Sequence, residues 1–216
     1  MSDYREDFIA FCVESGALKF GKFTTKSGRV SPYFFNIGAF ASGAALERLA
    51  QFYAKAILAS NVRFDMIFGP AYKGIALAAA TAIALARGGR DVPYAFNRKE
   101  AKDHGEGGDT IGAPLAGRVL IVDDVITAGT AVRESLALIR ARGAAPAALV
   151  IALDRMERGE GETSAIRELE QRHGVPVIAI ASLDDLTRWL EGRAGMHQHL
   201  KAIDEYRQLY GAANHA

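Results

Sequence analysis

The segment from residue 119 to residue 130 constrains the fold more than any other part of the chain. It reads Val-Leu-Ile-Val-Asp-Asp-Val-Ile-Thr-Ala-Gly-Thr. Four large aliphatic residues in a row predict a strand that is buried on both faces, as in a parallel sheet covered by helices. Beyond it, Val132, Leu136 and Ile139 recur with helical spacing over residues 131–142. The segment therefore predicts a strand, a turn of small residues and a helix.

The turn in this segment has the composition of a phosphate-binding loop. Small residues at 127–130 allow backbone N–H groups to converge at the helix N-terminus, where the helix dipole favours an anion. Asp123 and Asp124 follow the strand directly, at the edge where open α/β sheets bind ligands. Two carboxylates there can accept hydrogen bonds from a diol or help to hold a metal–phosphate complex. A solvated, helix-capping pair is the alternative, and the flanking sequence favours the binding site.

Predicted strands and helices alternate along most of the chain. The predicted strands lie at 64–68, 93–97, 119–122, 148–153 and 177–181, and the helices at 44–59, 73–87, 130–142 and 163–173. This alternation predicts an α/β fold with a central, mostly parallel, twisted sheet flanked by helices. A helix at 3–16 and β-prone segments at 19–24 and 33–37 predict a small N-terminal hood, formed mainly by residues 1–40 together with two C-terminal helices between 183 and 210. We expect one domain over residues 1–216.

Composition excludes several other classes of protein. The 216 residues are 50% hydrophobic and 24% charged, which is typical of a globular domain, and the net charge of +1 argues against a broad nucleic-acid surface. The apolar stretch at 75–86 is shorter than the ~20 residues that span a bilayer. No signal-peptide pattern opens the sequence, which predicts a cytoplasmic protein. Cys12 is the only cysteine and is expected in the core, and a P-loop motif is absent.

Two cationic segments add to the predicted site. Gly69-Pro-Ala-Tyr-Lys-Gly74 follows a strand and opens a helix, the arrangement of an anion-binding turn, and it places Lys73 at the same sheet edge as the acidic pair. Residues 98–108 contain three cations, one histidine and three glycines. This segment cannot be core. We interpret about 98–110 as a mobile lid loop that closes over a polyphosphate and excludes water, the alternative being a disordered charged loop.

Taken together, these motifs resemble a known family. The acidic segment is similar to the ribose-phosphate signature of the type I phosphoribosyltransferases. Thr-Lys-Ser-Gly-Arg-Val-Ser-Pro-Tyr-Phe-Phe at 25–35, Tyr72-Lys73, the lid, the acidic pair and Arg155 resemble, in pattern and order, the bacterial orotate phosphoribosyltransferases over nearly the whole chain. The resemblance implies a type I phosphoribosyltransferase fold. It also implies magnesium-dependent transfer of the 5-phosphoribosyl group from 5-phospho-α-D-ribose 1-diphosphate to N1 of orotate, giving orotidine 5′-phosphate and diphosphate in pyrimidine (UMP) biosynthesis.

The resemblance implies roles for individual residues. The implied catalytic residues are Lys102, His104, Asp123 and Asp124. Phosphoribosyl diphosphate is expected to contact Lys26, Tyr72, Lys73, Arg98, Lys99, Lys102, His104, Asp123, Asp124, Val125, Ile126, Thr127, Ala128, Gly129, Thr130 and Ala131. Orotate is expected to contact Lys26, Phe34, Phe35, Thr127 and Arg155, with the Arg155 guanidinium on its carboxylate. No protein ligand is assigned to Mg²⁺, because the diphosphate is expected to carry most of its coordination.

The resemblance further implies a homodimer in which Lys99, Lys102 and His104 of one lid cover the site of the other subunit. Orotate and phosphoribosyl diphosphate are the expected partners, with no nucleic acid and no membrane. Two other functions stay open from the residues. A purine or uracil phosphoribosyltransferase would share the acidic signature. It would not require Arg155 or the hood that carries Lys26. A non-catalytic regulator on the same fold would tolerate loss of the lid lysines and would usually carry an added nucleic-acid-binding element.

Overall fold

The computed structural model describes residues 3–25, 28–102, 108–126, 129–159 and 161–212, with the backbone alone for 100–102. The helices are α1 (Tyr4–Glu14), α2 (Gly43–Ala59), α3 (Lys73–Arg87), α4 (Thr130–Ala141), α5 (Ala165–His173), α6 (Leu183–Glu191) and α7 (His197–Tyr210), with a 3-10 helix at Ile37–Ala39. The strands are β1 (Leu18–Thr24), β2 (Val30–Phe35), β3 (Met66–Gly69), β4 (Tyr94–Lys102), β5 (Gly108–Gly112), β6 (Arg118–Val122), β7 (Ala145–Asp154) and β8 (Val177–Ser182).

A six-stranded sheet with the order β5-β4-β3-β6-β7-β8 forms the centre of the fold. All neighbouring strands in it are parallel except β5, which pairs antiparallel with β4 at one edge. Leu120 and Val122 pack into one hydrophobic cluster, whereas Val119 and Ile121 pack into a second one. The strand is therefore buried on both faces. The predicted mostly parallel sheet flanked by helices is confirmed.

The hood is a β1–β2 hairpin held by helices from both ends of the chain. The Phe20 ring of β1 stacks on His199 of α7 with ring centroids 4.8 Å apart. Helix α1 packs against α2 through Phe8 and Phe52. The strand predicted at 33–37 instead spans Val30–Phe35, because the Asn36 side chain accepts a hydrogen bond from the Gly38 amide and begins the 3-10 helix.

The segment predicted as a mobile lid loop, about 98–110, has strand structure at both of its ends. Residues 98–102 continue strand β4, and residues 108–110 lie in β5, which returns antiparallel to it. Cross-strand pairing of Phe96 with Ile111 and of Asn97 with Thr110 extends the sheet toward the charged segment. Strand pairing satisfies backbone groups that an irregular loop would leave to water. The tip, residues 103–107, lies outside the described residues.

Within the described chain, every helix is too short or too polar to cross a membrane.

Candidate active site

The turn after β3 is shaped by two glycines that allow a close approach of backbones. A Cβ on Gly69 would collide with the Gly74 carbonyl oxygen. A Cβ on Gly74 would lie 2.5 Å from Pro70 Cδ and 3.0 Å from the Val122 carbonyl oxygen at the end of β6. The turn can therefore fold back on itself and against β6 only because both side chains are absent. This packing brings Lys73, the first residue of α3, beside the acidic pair.

Lys73 and Asp124 form an ion pair at the carboxyl edge of the sheet. The Lys73 Nζ lies 2.5 Å from Asp124 Oδ2, with the lysine side chain 56% exposed and the aspartate side chain 12% exposed. The turn after β3 and the segment after β6 thus meet where the sequence predicted they would. Because the lysine side chain is about half-exposed, it is accessible to an anionic ligand.

Asp123 and Asp124 are both largely buried, with 9% of each residue exposed. The Asp124 amide donates to Asp123 Oδ1 at 2.9 Å. Burial, and secondly the neighbouring Asp124 carboxylate, raise the pKa of Asp123 to about 7, while Lys73 acts in the opposite direction. Perturbed carboxyls of this kind in a ligand crevice are typical of functional sites.

Asn97 links the turn after β3 to the strand that leads into the lid. Its Oδ1 accepts a hydrogen bond from the Ala71 amide at 2.7 Å. Nearby, the Lys99 ammonium lies 6.0 Å from the centre of the Tyr72 ring, and Tyr72 itself is 73% exposed. The Arg98 Nε is buried and has no hydrogen-bond partner among the described residues. The turn after β3 and the cationic strand β4 therefore lie side by side.

The loop predicted to cradle a phosphate is described at its two ends. Val125 and Ile126 pack against the two hydrophobic clusters. Gly129 has φ +67°, a conformation that favours glycine, and it caps α4, which begins at Thr130 and continues through Ala131. Thr127 and Ala128 lie outside the described residues, as do Lys26 and His104, and nothing is described of the Lys102 side chain.

Arg155, one residue beyond β7, reaches into the hood. Its guanidinium carbon lies 4.5 Å from the centre of the Tyr33 ring, and its Nη2 donates to Ser31 Oγ at 3.1 Å. Its Nε donates to Glu157 Oε1 at 2.7 Å. These contacts fix the plane of a side chain that is 19% exposed, and Nη1 is not used in them. A fixed, partly buried guanidinium is suited to binding a carboxylate.

Glu157 is the centre of the polar network around Arg155. Besides Arg155 it accepts a hydrogen bond from the Tyr206 hydroxyl at 3.0 Å, and it lies 3.4 Å from Arg29 Nη1. The C-terminal helix α7 thus helps to orient the arginine. On the hood, Phe34 is 44% exposed and its ring stacks on that of Phe23, while Phe35 is half-buried.

The structure therefore brings together Lys73, Asp123, Asp124, Tyr72 and Lys99, and it places Arg155 at the end of the next strand. Sequence reasoning did not identify the residues that orient them: Ser31, Tyr33, Asn97, Glu157 and Tyr206. The sequence offered one indication of these residues: Asn97 lies next to the lid cations in the chain, and Glu157 lies close to Arg155. Their partners, however, are fixed by contacts between distant segments.

The acidic pair fits a metal that arrives with a substrate better than a resident metal. Among the described residues, no group of three or more His, Cys, Asp or Glu side chains could hold a metal ion. Two adjacent carboxylates, one of them paired with Lys73, suit Mg²⁺, which usually combines one or two carboxylates with waters and substrate phosphate oxygens.

Comparison with known proteins agrees with this geometry. A family model described as "Phosphoribosyl transferase domain" matches residues 37–181, from the end of the hood to the last strand of the sheet. The fold and the site thus define a phosphoribosyltransferase domain, in which the acidic strand end and the glycine-capped helix α4 lie within the matched region.

Relatives that match this chain over nearly its full length identify the kind of phosphoribosyltransferase. The chain is 64% identical to the orotate phosphoribosyltransferase of Laribacter hongkongensis, over 98% of this chain and 99% of that protein. It is 63% identical to the enzyme of the same name from Thioalkalivibrio sulfidiphilus, over 98% and 100%. The crystal structure of orotate phosphoribosyltransferase from Francisella tularensis has a TM-score of 0.86 at 41% identity and covers 95% of this chain and 99% of its own. The chain belongs to the orotate phosphoribosyltransferases.

Proposed function

We propose that this protein transfers the 5-phosphoribosyl group of 5-phospho-α-D-ribose 1-diphosphate to N1 of orotate, releasing diphosphate, in pyrimidine biosynthesis. The observation that carries this proposal is the Lys73–Asp124 pair at the ends of neighbouring strands, with Arg155 held at the end of the next one. The relatives named for the same reaction support it. One edge of the sheet then carries three kinds of group: a cation for the leaving group, carboxylates for the ribose and a guanidinium for the carboxylate of the base.

The diphosphate is assigned to the turn after β3 and to the lid strand. Cleavage of the C1′–oxygen bond leaves additional negative charge on the diphosphate, so cations placed there lower the barrier. Lys73, Arg98 and Lys99 lie on this side of the site, and we extend the set to Lys102 and His104. When it arrives, the diphosphate competes with Asp124 for the Lys73 ammonium.

The ribose is assigned to the acidic pair and its 5′-phosphate to residues 125–131. The departing diphosphate leaves positive charge on the ribose, which nearby carboxylates stabilise while they accept hydrogen bonds from its hydroxyl groups. Ionised carboxylates do this better than protonated ones. The Lys73 ammonium favours the ionised form of Asp123 and thereby opposes the effect of burial.

Mg²⁺ would be carried mainly by the diphosphate, and Asp123 and Asp124 are the residues proposed to help hold it. When bound, the ion would neutralise charge on the leaving group. The protein residues supply the remaining positioning, because Lys73 and Asn97 hold the turn on one side and Arg155 holds the base on the other.

Orotate is assigned to the gap between Arg155 and the hood. Glu157 occupies the Nε and Nη2 edge of Arg155, so the carboxylate of orotate is proposed to approach the guanidinium away from that edge. The exposed face of Phe34, with Phe35 beside it, and Lys26 are proposed to border the ring.

Base selectivity is the direct test of the proposed reaction. Purified protein with phosphoribosyl diphosphate and Mg²⁺ should consume orotate in preference to uracil, adenine and hypoxanthine, monitored by base absorbance. The rate should fall by more than about tenfold when the metal is chelated and return when Mg²⁺ is restored, because an uncompensated diphosphate is a poor leaving group. Preference for another base would refute the orotate assignment and leave the fold unaffected.

Asn97→Ala should weaken diphosphate binding by about 3- to 10-fold, since the Ala71 amide loses a neutral hydrogen-bond partner and the turn that carries Lys73 loosens. Product inhibition by diphosphate measures this, and the KM of orotate should stay within about twofold. Thr110→Ala is the matched control, because Thr110 is the residue that pairs with Asn97 across the strands. Equal losses in both variants would mean that the β4–β5 ribbon, and not the Asn97 contact, is responsible.

A further inference from the structure

A buried tyrosine hydroxyl lies directly behind the acidic pair. Tyr53 of α2 is 0% exposed, and its hydroxyl donates to the backbone carbonyl of Asp123 at 2.8 Å across 70 residues of sequence. Burial raises its pKa well above the usual value, so the hydroxyl keeps its proton and remains a donor. A buried phenol without a partner would be costly, as would the buried carbonyl that it contacts.

The Asp123 carbonyl needs this donor because the β6–β7 ladder is irregular at that point. The Asp123 amide donates to the Val150 carbonyl. In a regular parallel ladder the Ala152 amide would then donate to the Asp123 carbonyl. It donates instead to the Asp124 carbonyl, at 2.8 Å. One extra residue is thus accommodated on the β6 side, as in a β-bulge, and the Asp123 carbonyl is left without a strand partner.

This irregularity bears on how two adjacent side chains can serve one site. In a regular strand, successive side chains point to opposite faces of the sheet. Here Asp123 Oδ1 accepts a hydrogen bond from the Asp124 amide at 2.9 Å, and Asp124 Oδ2 accepts one from the Lys73 ammonium. The Asp123 carboxylate thus lies against the peptide of the residue that pairs with Lys73, and the extra residue of the bulge accommodates this placement.

We propose that Tyr53 is a positioning residue for the acidic pair: its hydroxyl holds the bulged Asp123 peptide, and so keeps both carboxylates at the ribose. The inference rests on the proposed function and adds a residue to it. Tyr53 touches no reacting atom. Without its hydroxyl, the Asp123 carbonyl regains a partner only if the ladder slips toward the regular register, which would turn one carboxylate away.

The test is Tyr53→Phe, which keeps the ring in the core and removes only the hydroxyl. We expect kcat to fall about tenfold and the KM of phosphoribosyl diphosphate to rise at least about threefold, while the KM of orotate stays within about twofold. The matched control is Thr81→Val in α3, where a buried hydroxyl with no hydrogen-bond partner among the described residues is removed. That variant should keep all three constants.

A purely structural role for Tyr53 predicts a different pattern. Partial unfolding lowers the apparent kcat in proportion to the folded fraction and leaves both KM values unchanged. Rates are therefore divided by the folded fraction from circular dichroism, at a temperature where most of Tyr53→Phe is folded. The proposal is wrong if Tyr53→Phe, corrected for its folded fraction, has the kcat and KM values of the wild type. It is also wrong if Thr81→Val loses as much activity as Tyr53→Phe.

Failure of the proposed reaction would be recognised separately, because the wild-type protein would then not consume orotate. The Tyr53 inference is in that case tested by binding alone. Phosphoribosyl diphosphate with Mg²⁺ should raise the Tm of the wild type and of Thr81→Val more than that of Tyr53→Phe. Equal shifts in the three proteins would remove the positioning role.

Discussion

Mixing two inactive variants, Lys102→Ala and Asp124→Asn, should restore activity. Each variant alone is expected to lose at least about 100-fold in kcat/KM, because one lacks a cation proposed to bind the diphosphate and the other a carboxylate, beside Lys73, that is proposed to bind the ribose. If the lid acts across a homodimer, a mixed dimer contains one site with both residues intact. Random exchange makes half of the dimers mixed, so activity should reach about a quarter of the wild-type value.

The control for this experiment is a mixture of Asp124→Asn with Asp123→Asn. Each subunit then carries a defect in the segment after its own β6, so every site stays defective whichever lid covers it. Subunit exchange is verified with differently tagged chains. Exchange without recovery in the Lys102→Ala mixture would place each lid on its own subunit, and recovery in the control mixture would show that the two acids do not share one site.

The large features of this fold follow from local sequence. Burial of a strand on both faces demands an unbroken apolar run, and Val119 to Val122 supply it. Because parallel strands end at one edge, Lys73 and Asp124 were expected to lie together, and they form an ion pair at 2.5 Å. The predicted fold and the Lys73–Asp124 part of the predicted site could therefore be derived from pattern and topology.

The orienting contacts could not be derived in this way. Tyr53 lies in a helix whose apolar spacing predicts only core packing, and its partner carbonyl becomes available only through a bulge in a distant strand. Asn97 bonds to a turn 26 residues earlier. The strand character of residues 98–102 was hidden by charged side chains, because pairing with β5 is a non-local property.

Arg155→Ala should lower kcat/KM for orotate by about 10- to 150-fold, the equivalent of ~1.5–3 kcal/mol for a lost charged hydrogen-bond partner. The KM of phosphoribosyl diphosphate should change far less. The reason is that the guanidinium is held in place: Glu157 and Ser31 bind Nε and Nη2, and Tyr33 lies under its plane. A charged group fixed in this way is suited to a carboxylate, and the variant removes it. Arg155→Lys keeps the charge without the planar fork and should recover only part of the loss.

Arg158→Ala is the matched control for Arg155→Ala, since it removes the same charge from the same loop. Arg158 donates to the Leu209 carbonyl and is not part of the contacts around Arg155, so orotate kinetics should be nearly unchanged. Uracil lacks the carboxylate and separates recognition from general damage. The wild-type preference for orotate over uracil should shrink in Arg155→Ala, because the energy lost belongs to the carboxylate alone. An unchanged preference in a folded Arg155→Ala protein would assign the carboxylate to another cation, and Lys26 would be the next residue to test.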